Sequence, residues 1–308
     1  MIEIKRILCP IDFSDHSRRA LDHAVAIAKW YDSAITLLHI YSAVPGAAYA
    51  PGAPMPSPIA LTPLDQEALL ASMKHFAESE VGAGIALDFE TGEGSTAAGI
   101  LARARAMPAD LVVMGTHGRS GVERLMLGSV TEKVLRKATC PVLSVPRHAT
   151  DVVPLPPVLF TRILCATDFS PSATHALNYA MSLAQEADAH LTVLHAIEVP
   201  EDLTPEMYQA VPDFEPTLAS YLKAAREERV ARLQTAVPGN VRAYCTVDTV
   251  LATGKPYREI LRVAAEQHSD LIVLGIHGRS AADLLFVGST TNHVVRQAAC
   301  PVLTLRSG

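Results

Sequence analysis

Cysteine is scarce in this chain, which has 5 cysteines among 308 residues and no Cys-x-x-Cys pair. An odd, unpatterned set excludes a disulfide framework and argues against a cysteine-rich zinc site. Aromatic residues make up only 5%, with a single tryptophan. No apolar run approaches the roughly 20 residues that a membrane-spanning helix needs, and the charged N-terminal stretch lacks a secretory signal pattern. We therefore expect a cytoplasmic protein.

Charge is also limited, since charged residues make up 19% and the formal net charge is -6. An acidic balance argues against nucleic acid as the main partner. Hydrophobic residues make up 49%, which excludes a disordered chain. Alanine, valine, leucine and isoleucine dominate, as is typical of buried parallel strands covered by alanine-rich helices. The length is about twice that of a common domain and predicts two domains.

An internal duplication is the strongest feature of the sequence. Ile7–Ser14 reads ILCPIDFS and returns as ILCATDFS at Ile163–Ser170, with six of eight residues identical. Ala109–Gly121 returns in the same way at Ser269–Ala281, and Cys-Pro-Val-Leu occurs once near the end of each copy. The offset changes only from 156 to 160 residues, so each copy is a whole domain. We predict domains at 1–147 and 159–308, joined by a proline-rich linker.

Within each copy, strand and helix patterns alternate as β-α-β-α-β-α-β-α-β. In the first copy we predict strands near Arg6–Ile11, Ile35–Ile40, Ile85–Glu90, Leu111–Met114 and Val142–Val145, with helices between them. Ser14 and Ser170 are predicted helix N-caps, the second followed by Pro171 at the first helical position. Such alternation predicts two α/β domains, each a doubly wound parallel sheet of strand order 3-2-1-4-5.

Ligands of such sheets bind beyond the strand ends where the strand order reverses, here between the first and fourth strands. Asp12 and Asp168 end the first strand of their copies, and glycine loops follow the fourth strands. Each loop reads Gly-x-x-Gly, nine residues, then Gly-Ser, without a P-loop motif. Glycine permits positive φ and close backbone approach to a ligand, and the helix start behind Gly-Ser favours an anion. A plain capping turn is the alternative for the loop, as helix capping is for the aspartates.

Together these residues resemble the universal stress protein family in its tandem-domain form. The family pattern G-x2-G-x9-G-[ST] occurs in both copies, with the strand-one aspartate and the final Cys-Pro-Val-Leu strand. The resemblance covers nearly the whole chain. It implies the adenine-nucleotide α-hydrolase-like fold and ATP as the ligand, either alone or with Mg²⁺.

Site residues follow from the resemblance position by position. Aspartate would hold ribose, the residue before it and one on strand two would border adenine, and the glycines and Gly-Ser helix start would cradle phosphates. In the first copy these are Ile11, Asp12, Ile40, Gly115, Gly118, Gly128, Ser129 and Val130. In the second copy they are Thr167, Asp168, Ala196, Gly275, Gly278, Gly288, Ser289 and Thr290. Arg119 and Arg279 either neutralise phosphate charge or are solvated loop cations.

The remaining polar residues favour binding over catalysis. His39 and His195 end strand two, where a structural histidine is expected rather than a metal ligand, and we predict no metal site. Cys9 and Cys165 lie in apolar strands and are expected to be buried and inert. An enzyme would need a positioned base, a metal-binding carboxylate pair or an activated nucleophile, and none is repeated beside the loops. The sequence therefore favours an ATP-binding stress-response regulator, with a slow ATP hydrolase or a nucleotide-free dimerisation module as alternatives.

Two further expectations concern the whole chain. By the family resemblance, Val142–Val145 and Val302–Leu305 would pair antiparallel, making an intramolecular pseudo-dimer of the two domains, and whole chains would form a homodimer. We also expect the first site to bind ATP more tightly. Pro10 precedes Asp12 where the second copy has Ala166. The Ser42–Leu64 connection is uncharged, whereas Glu198–Glu215 is acidic.

Overall fold

The structure, a computed structural model, describes residues 2–41, 62–78, 84–117, 127–146, 160–198, 214–278 and 287–306. The chain divides into two units. The first unit spans Glu3–Leu159, and the second spans Phe160–Gly308 together with the two N-terminal residues.

The first unit is a five-stranded parallel sheet with helices on the connections. In chain order its elements are β1 Arg6–Pro10, α1 Asp15–Tyr31, β2 Ala34–Tyr41, α2 Pro63–Glu78, β3 Leu87–Glu93, α3 Thr96–Ala106, β4 Leu111–Gly115, α4 Ser129–Lys137 and β5 Val142–Val145. The strand order is β3-β2-β1-β4-β5, and every pairing within the unit is parallel. This is the predicted doubly wound order 3-2-1-4-5.

The second unit repeats that architecture. Its elements are β6 Arg162–Ala166, α5 Pro171–Ala187, β7 His190–Ile197, α6 Phe214–Ala236, α7 Gly239–Arg242, β8 Val247–Thr253, α8 Pro256–Glu266, β9 Leu271–Gly275, α9 Ser289–Gln297 and β10 Val302–Leu305. The strand order β8-β7-β6-β9-β10 is again parallel throughout. The α/β fold predicted from the alternating pattern is therefore confirmed for both copies.

Local sequence signals explain where the first helix of each unit begins and ends. Ser14 and Ser170 are the N-caps, and each hydroxyl accepts a hydrogen bond from the backbone N–H three residues later. Both helices end at an aspartate in the left-handed region, Asp32 with φ 52° and Asp188 with φ 50°. Short polar side chains tolerate this conformation better than bulky ones, so the aspartates act as stop signals.

The core of each unit lies around the central strands. Ile7, Leu8 and Cys9 of β1 are completely buried, as are Leu164 and Cys165 of β6. A parallel sheet covered on both faces requires such continuous apolar strands. The rigid frame therefore runs up to the residues that follow β1 and β6, where the sequence predicts the ligand.

The third strand begins and ends later in the sequence than predicted. We expect a strand near Ile85–Glu90, whereas β3 covers Leu87–Glu93 and continues through Gly92. Glycine is depleted in strands, so the sequence here reads as a turn. The strand continues because β2 offers pairing partners as far as Tyr41, with Gly92 opposite Ile40.

Some predictions fall outside the described residues. These are the linker Arg147–Val158, residues 42–61 of the proline-rich connection Ser42–Leu64, residues 199–213 of the acidic connection Glu198–Glu215, and three site residues, Gly118, Arg119 and Arg279. Within the described residues, no helix is both long and apolar enough to span a membrane.

Candidate functional site

The aspartates lie where β1 meets β4 and where β6 meets β9, at the carboxyl ends of neighbouring parallel strands. Asp12 Oδ1 accepts a hydrogen bond from the Ser14 N–H at 3.1 Å, and Asp168 Oδ1 accepts one from the Ser170 N–H at 3.0 Å. This turn fixes each carboxylate at the strand end. The N-cap itself is the serine, so the simple capping alternative for the aspartates does not hold.

A phenylalanine with an uncommon backbone conformation follows each aspartate. Phe13 has φ 61° and Phe169 has φ 63°, in the left-handed region that bulky side chains rarely adopt. Such strain costs about 1–3 kcal/mol and persists only where the surrounding structure enforces it. Because the same strained conformation occurs at the same place in both units, the surrounding structure must hold this turn in place.

The strand-two histidines help to hold this turn in place. His39 Nδ1 donates to the Ile11 carbonyl at 2.8 Å, and His195 Nδ1 donates to the Thr167 carbonyl at 2.7 Å. Their rings lie 4.8 Å from the Phe13 ring and 4.7 Å from the Phe169 ring. Each histidine therefore holds the backbone just before the aspartate, which is the structural role that the sequence predicts.

The structure explains why glycine occurs at these loop positions, and the reason differs from the one expected. Positive φ is found at Gly84, Gly94 and Gly254, and the site glycines within the described residues lie outside that range. A Cβ on Gly115 would lie 3.0 Å from the His16 carbonyl, and one on Gly275 would lie 2.8 Å from the Ala173 nitrogen. For the five described site glycines the positive-φ expectation is therefore wrong. Gly115 and Gly275 let the start of α1 or α5 approach the end of β4 or β9.

Gly278 faces the carboxylate itself. A Cβ there would lie 2.8 Å from Asp168 Oδ2, with the remaining neighbours at 3.9 Å or beyond. Glycine at this position lets the loop after β9 approach the aspartate closely. Gly278 is therefore tied directly to the proposed ribose contact, whereas Gly275 is tied to helix packing.

The helix after each loop starts without a side-chain cap. Gly128 and Gly288 occupy the N-cap positions of α4 and α9, and glycine has no side chain to offer the first backbone N–H groups. Such groups together with the helix dipole form a favourable site for an anion. The amides of the two glycines donate to the Thr116 and Ile276 carbonyls at 2.9 Å, so they close the loop. In the second unit, Ser289 and Thr290, which follow Gly288, line the cleft described below.

A buried threonine on each of these helices was not predicted. Thr131 Oγ1 donates to the Gly115 carbonyl, and Thr291 Oγ1 donates to the Gly275 carbonyl, both at 2.9 Å. These bonds fix the start of α4 or α9 to the end of β4 or β9. The recurrence of threonine two residues after Gly-Ser in both copies is the signal that could have identified them.

In the second unit the predicted residues surround one cleft of about 480 Å³. Its lining includes every described residue that the sequence assigns to that site, namely Thr167, Asp168, Ala196, Gly275, Gly278, Gly288, Ser289 and Thr290. Arg229 and Glu198 add one charge of each sign, and Pro256 and Ile260 add an apolar wall. The sequence singled out Glu198 only as part of an acidic connection, and it missed Arg229, Pro256 and Ile260 because no recognised binding motif includes them.

In the first unit the corresponding residues occupy equivalent places. Ile11 is buried and its N–H donates to the Leu38 carbonyl at 2.9 Å, as the Thr167 N–H donates to Leu194 at 2.8 Å. Ile40 is the second-last residue of β2 and lies opposite Gly92. Ser129 and Val130 begin α4, directly behind Gly128. The loop that would complete this site lies outside the described residues.

No group of three or more His, Cys, Asp or Glu side chains that could hold a metal occurs among the described residues. The cleft of the second unit offers backbone amides, hydroxyls, the carboxylates of Asp168 and Glu198 and the guanidinium of Arg229.

Comparison with known proteins identifies the domain type. The model of the Universal stress protein family matches residues 3–146 and again 159–306. A universal stress protein of Thermus aquaticus is 38% identical over 149 residues, which cover 48% of this chain and 100% of that protein. One of Mycolicibacterium smegmatis is 25% identical over 306 residues, covering 97% of this chain and 96% of that protein.

Solved structures agree on the fold. The crystal structure of a universal stress protein from Archaeoglobus fulgidus matches with a TM-score of 0.64 at 23% identity, covering 98% of both chains. At that identity the likeness concerns the fold alone, which is the adenine-nucleotide α-hydrolase-like fold. With the family's domain found twice along its length, this chain belongs to the universal stress protein family.

Proposed function

We propose that this chain binds ATP in each of its two units and acts as a stress-response regulator rather than as a fast enzyme. The observation that carries the proposal is the cleft of the second unit. It gathers at one sheet edge a carboxylate, a glycine loop and an uncapped helix start that lie far apart in the sequence. We propose the same role for Ile11, Asp12, Ile40, Gly115, Gly118, Gly128, Ser129 and Val130 in the first unit.

The phosphate end of the ligand would lie at the starts of α4 and α9. Ser129 and Ser289 follow the glycine N-caps, and the N–H groups of Val130 and Thr290 belong to the same first turn. Arg119 and Arg279 would add positive charge from the loops. Mg²⁺ would enter with the nucleotide, held mainly by phosphate oxygens, because Mg²⁺ sites commonly combine few protein ligands with substrate phosphates.

The ribose end would lie at Asp12 and Asp168. A carboxylate at this place can accept hydrogen bonds from both vicinal hydroxyls of ribose, as an acid does in dinucleotide-binding folds. Adenine would then lie between the residue before the aspartate and the end of strand two, bordered by Ile11 and Ile40 or by Thr167 and Ala196. The apolar residues Pro256 and Ile260 supply a wall suited to a flat base.

Regulation is favoured over catalysis because the sequence repeats no catalytic base or nucleophile beside the loops, and the described residues contain no group of three or more His, Cys, Asp or Glu side chains that could hold a metal. The strand-two histidines are engaged in holding the backbone. We further propose that the protein works in the cytoplasm and that chains associate as homodimers.

Calorimetric titration of the full chain with ATP, with and without Mg²⁺, tests the proposal. We expect two bound ATP molecules, and we expect Asp12→Ala and Asp168→Ala each to weaken one of them. Glu266→Gln is a suitable control because this carboxylate lies on the exposed face of α8. Absence of ATP binding, or aspartate variants that bind like the control, would refute the assignment. Release of ADP with steady turnover would instead favour the slow hydrolase.

A further inference from the structure

Ile40 of the first unit packs into a gap made by two glycines, which we call the glycine notch. A Cβ placed on Gly92 of β3 would lie 2.6 Å from Ile40 Cδ1, and one on Gly99 of α3 would lie 2.7 Å from the same atom. Real Cβ atoms do not approach that closely, so the end of the isoleucine side chain occupies space that only glycine leaves open. The end of the isoleucine side chain therefore lies between β3 and α3, in the space beside the two glycines.

The second unit has no such notch. Ala196 takes the place of Ile40, and its partner on β8 is Ala252 where the first unit has Gly92. Glu259 takes the place of Gly99, since α3 and α8 have the same length and start at equivalent residues. Its side chain is largely buried, 18% exposed, and pairs with Arg262 at 2.7 Å. The strand-two residue of the second unit is thus small and its two neighbours are larger, and of these three residues only Ala196 lines the cleft.

The strand-two position belongs to the proposed ligand cleft. In the second unit Ala196 lines the cleft together with Pro256 and Ile260 of α8. The corresponding helix residues of the first unit, Thr96 and Ile100, flank Gly99 of the notch. Exchange of isoleucine for alanine at this one position therefore changes the room at the end of the cleft where strand two meets the following helix.

We propose that this position acts as a size filter for the base, so that the second unit accepts an enlarged adenine ring system and the first unit accepts only the unmodified base. The inference rests on the proposed nucleotide site. Isoleucine carries three more carbon atoms than alanine, and all three lie within 3.6 Å of the Cβ position of Gly99, on the helix whose counterpart in the second unit lines the cleft. A pocket that differs by one or a few methylene groups discriminates about 10- to 200-fold between ligands.

The direct test compares ATP with 1,N6-etheno-ATP, whose base carries an additional fused ring, in titrations of the full chain. We expect the second unit to bind both nucleotides with similar affinity. We expect the first unit to bind the etheno derivative at least about tenfold more weakly than ATP. Ile40→Ala should remove that difference, because the filter is then as small as in the second unit.

A mutant cycle in the first unit separates the filter from a general loss of packing. Gly92→Ala introduces a Cβ at the place of Ile40 Cδ1 and should push the isoleucine toward the cleft, weakening both nucleotides. Ile40→Ala with Gly92→Ala recreates the alanine pair of the second unit and should restore binding. Thermal unfolding of each variant shows that the protein remains folded.

The reciprocal change tests the second unit. Ala196→Ile should weaken both nucleotides, since Ala252 and Glu259 leave no notch and the new side chain must enter the cleft. Adding Ala252→Gly and Glu259→Gly rebuilds the notch. The triple variant should regain its affinity for ATP and still bind the etheno derivative weakly. Equal affinities for both nucleotides at both sites, or a folded Ala196→Ile protein that binds like the wild type, would overturn the filter while leaving ATP binding intact. Complete absence of ATP binding would overturn both proposals.

Discussion

Burial keeps the thiols of this protein protonated. It raises the pKa of Cys9 and of Cys165 to about 12, and raises that of Cys140 to about 11. Burial likewise raises the pKa of Cys300 to about 12, helped by the negative charge of Asp270. Because the thiolate is the reactive form, these cysteines are packing residues, as the sequence predicts for Cys9 and Cys165.

We expect a thiol-specific disulfide reagent to modify the native protein very slowly at pH 8. Among Cys9, Cys140, Cys165 and Cys300, Cys140 should react first, because it is only half-buried and its pKa is raised least of these four. All 5 cysteines should react rapidly in concentrated guanidinium chloride, which serves as the control. Rapid stoichiometric modification of Cys9 or Cys165 in the folded protein, located by mass spectrometry, would contradict this expectation.

His23 links the stability of the first unit to pH. Burial is the main cause that lowers its pKa below the usual value, although its Nδ1–H donates to the Arg19 carbonyl at 2.8 Å. A histidine with a lowered pKa in the folded state binds its proton more readily when unfolded. Its contribution is therefore fully present above about pH 6.5, the unfolded value, and is lost as pH falls through the lowered folded pKa.

Accordingly, the free energy of unfolding of the first unit should fall between pH 7.5 and pH 5. His23→Gln should show a smaller fall, since glutamine can still donate to the Arg19 carbonyl and does not titrate. Trp30 is the single tryptophan and lies on α1, so its fluorescence during urea unfolding follows this unit. Identical pH dependence in the wild type and the variant would show that His23 is not the cause.

At the scale of elements, glycines of one motif serve different junctions. Gly275 lies where β9 meets the start of α5, and Gly278 lies where the following loop meets Asp168. Spacing identified both residues from the sequence. The contact that each one permits could not be predicted, because it depends on which helix lies across the strand end.

Gly275→Ala should destabilise the second unit by about 1–3 kcal/mol, because its Cβ meets the backbone nitrogen of Ala173, which cannot move aside cheaply. Gly278→Ala should instead leave the stability of the unit nearly unchanged. It should weaken the affinity for ATP about tenfold, because its Cβ displaces the Asp168 carboxylate and the loss is comparable to that of one hydrogen bond. Thermal unfolding and calorimetry on the two variants measure the two effects. Equal stability of the variants would contradict the distinction.

Local sequence signals predicted the element order well and missed what tertiary packing decides. The capping serines and the apolar central strands follow from short-range rules, and both are as predicted. The left-handed phenylalanines do not follow from such rules, because Phe13 and Phe169 adopt that conformation against their intrinsic preference. The extension of β3 through Gly92 likewise depends on the length of its neighbour.

For the whole molecule, each unit contains a complete five-stranded sheet with its own core. A fragment ending at residue 147 should therefore fold and bind one ATP. The pairing of Val142–Val145 with another terminal strand remains a prediction from the sequence, and an unpaired apolar edge tends to associate. We expect the fragment to sediment as a dimer at micromolar concentration. A folded fragment that stays monomeric would contradict the pairing.

The glycine notch also restricts the order in which the two copies can have diverged after duplication. Isoleucine at the strand-two position can occupy the notch only where both neighbouring glycines are already present, because a Cβ on either glycine would lie within 2.7 Å of its Cδ1. A lineage moving from the alanine arrangement to the isoleucine arrangement must acquire the glycines first, and a lineage moving back must lose the isoleucine first. The three positions are therefore epistatic, and ancestral intermediates should contain alanine with glycine neighbours rather than isoleucine with alanine and glutamate neighbours.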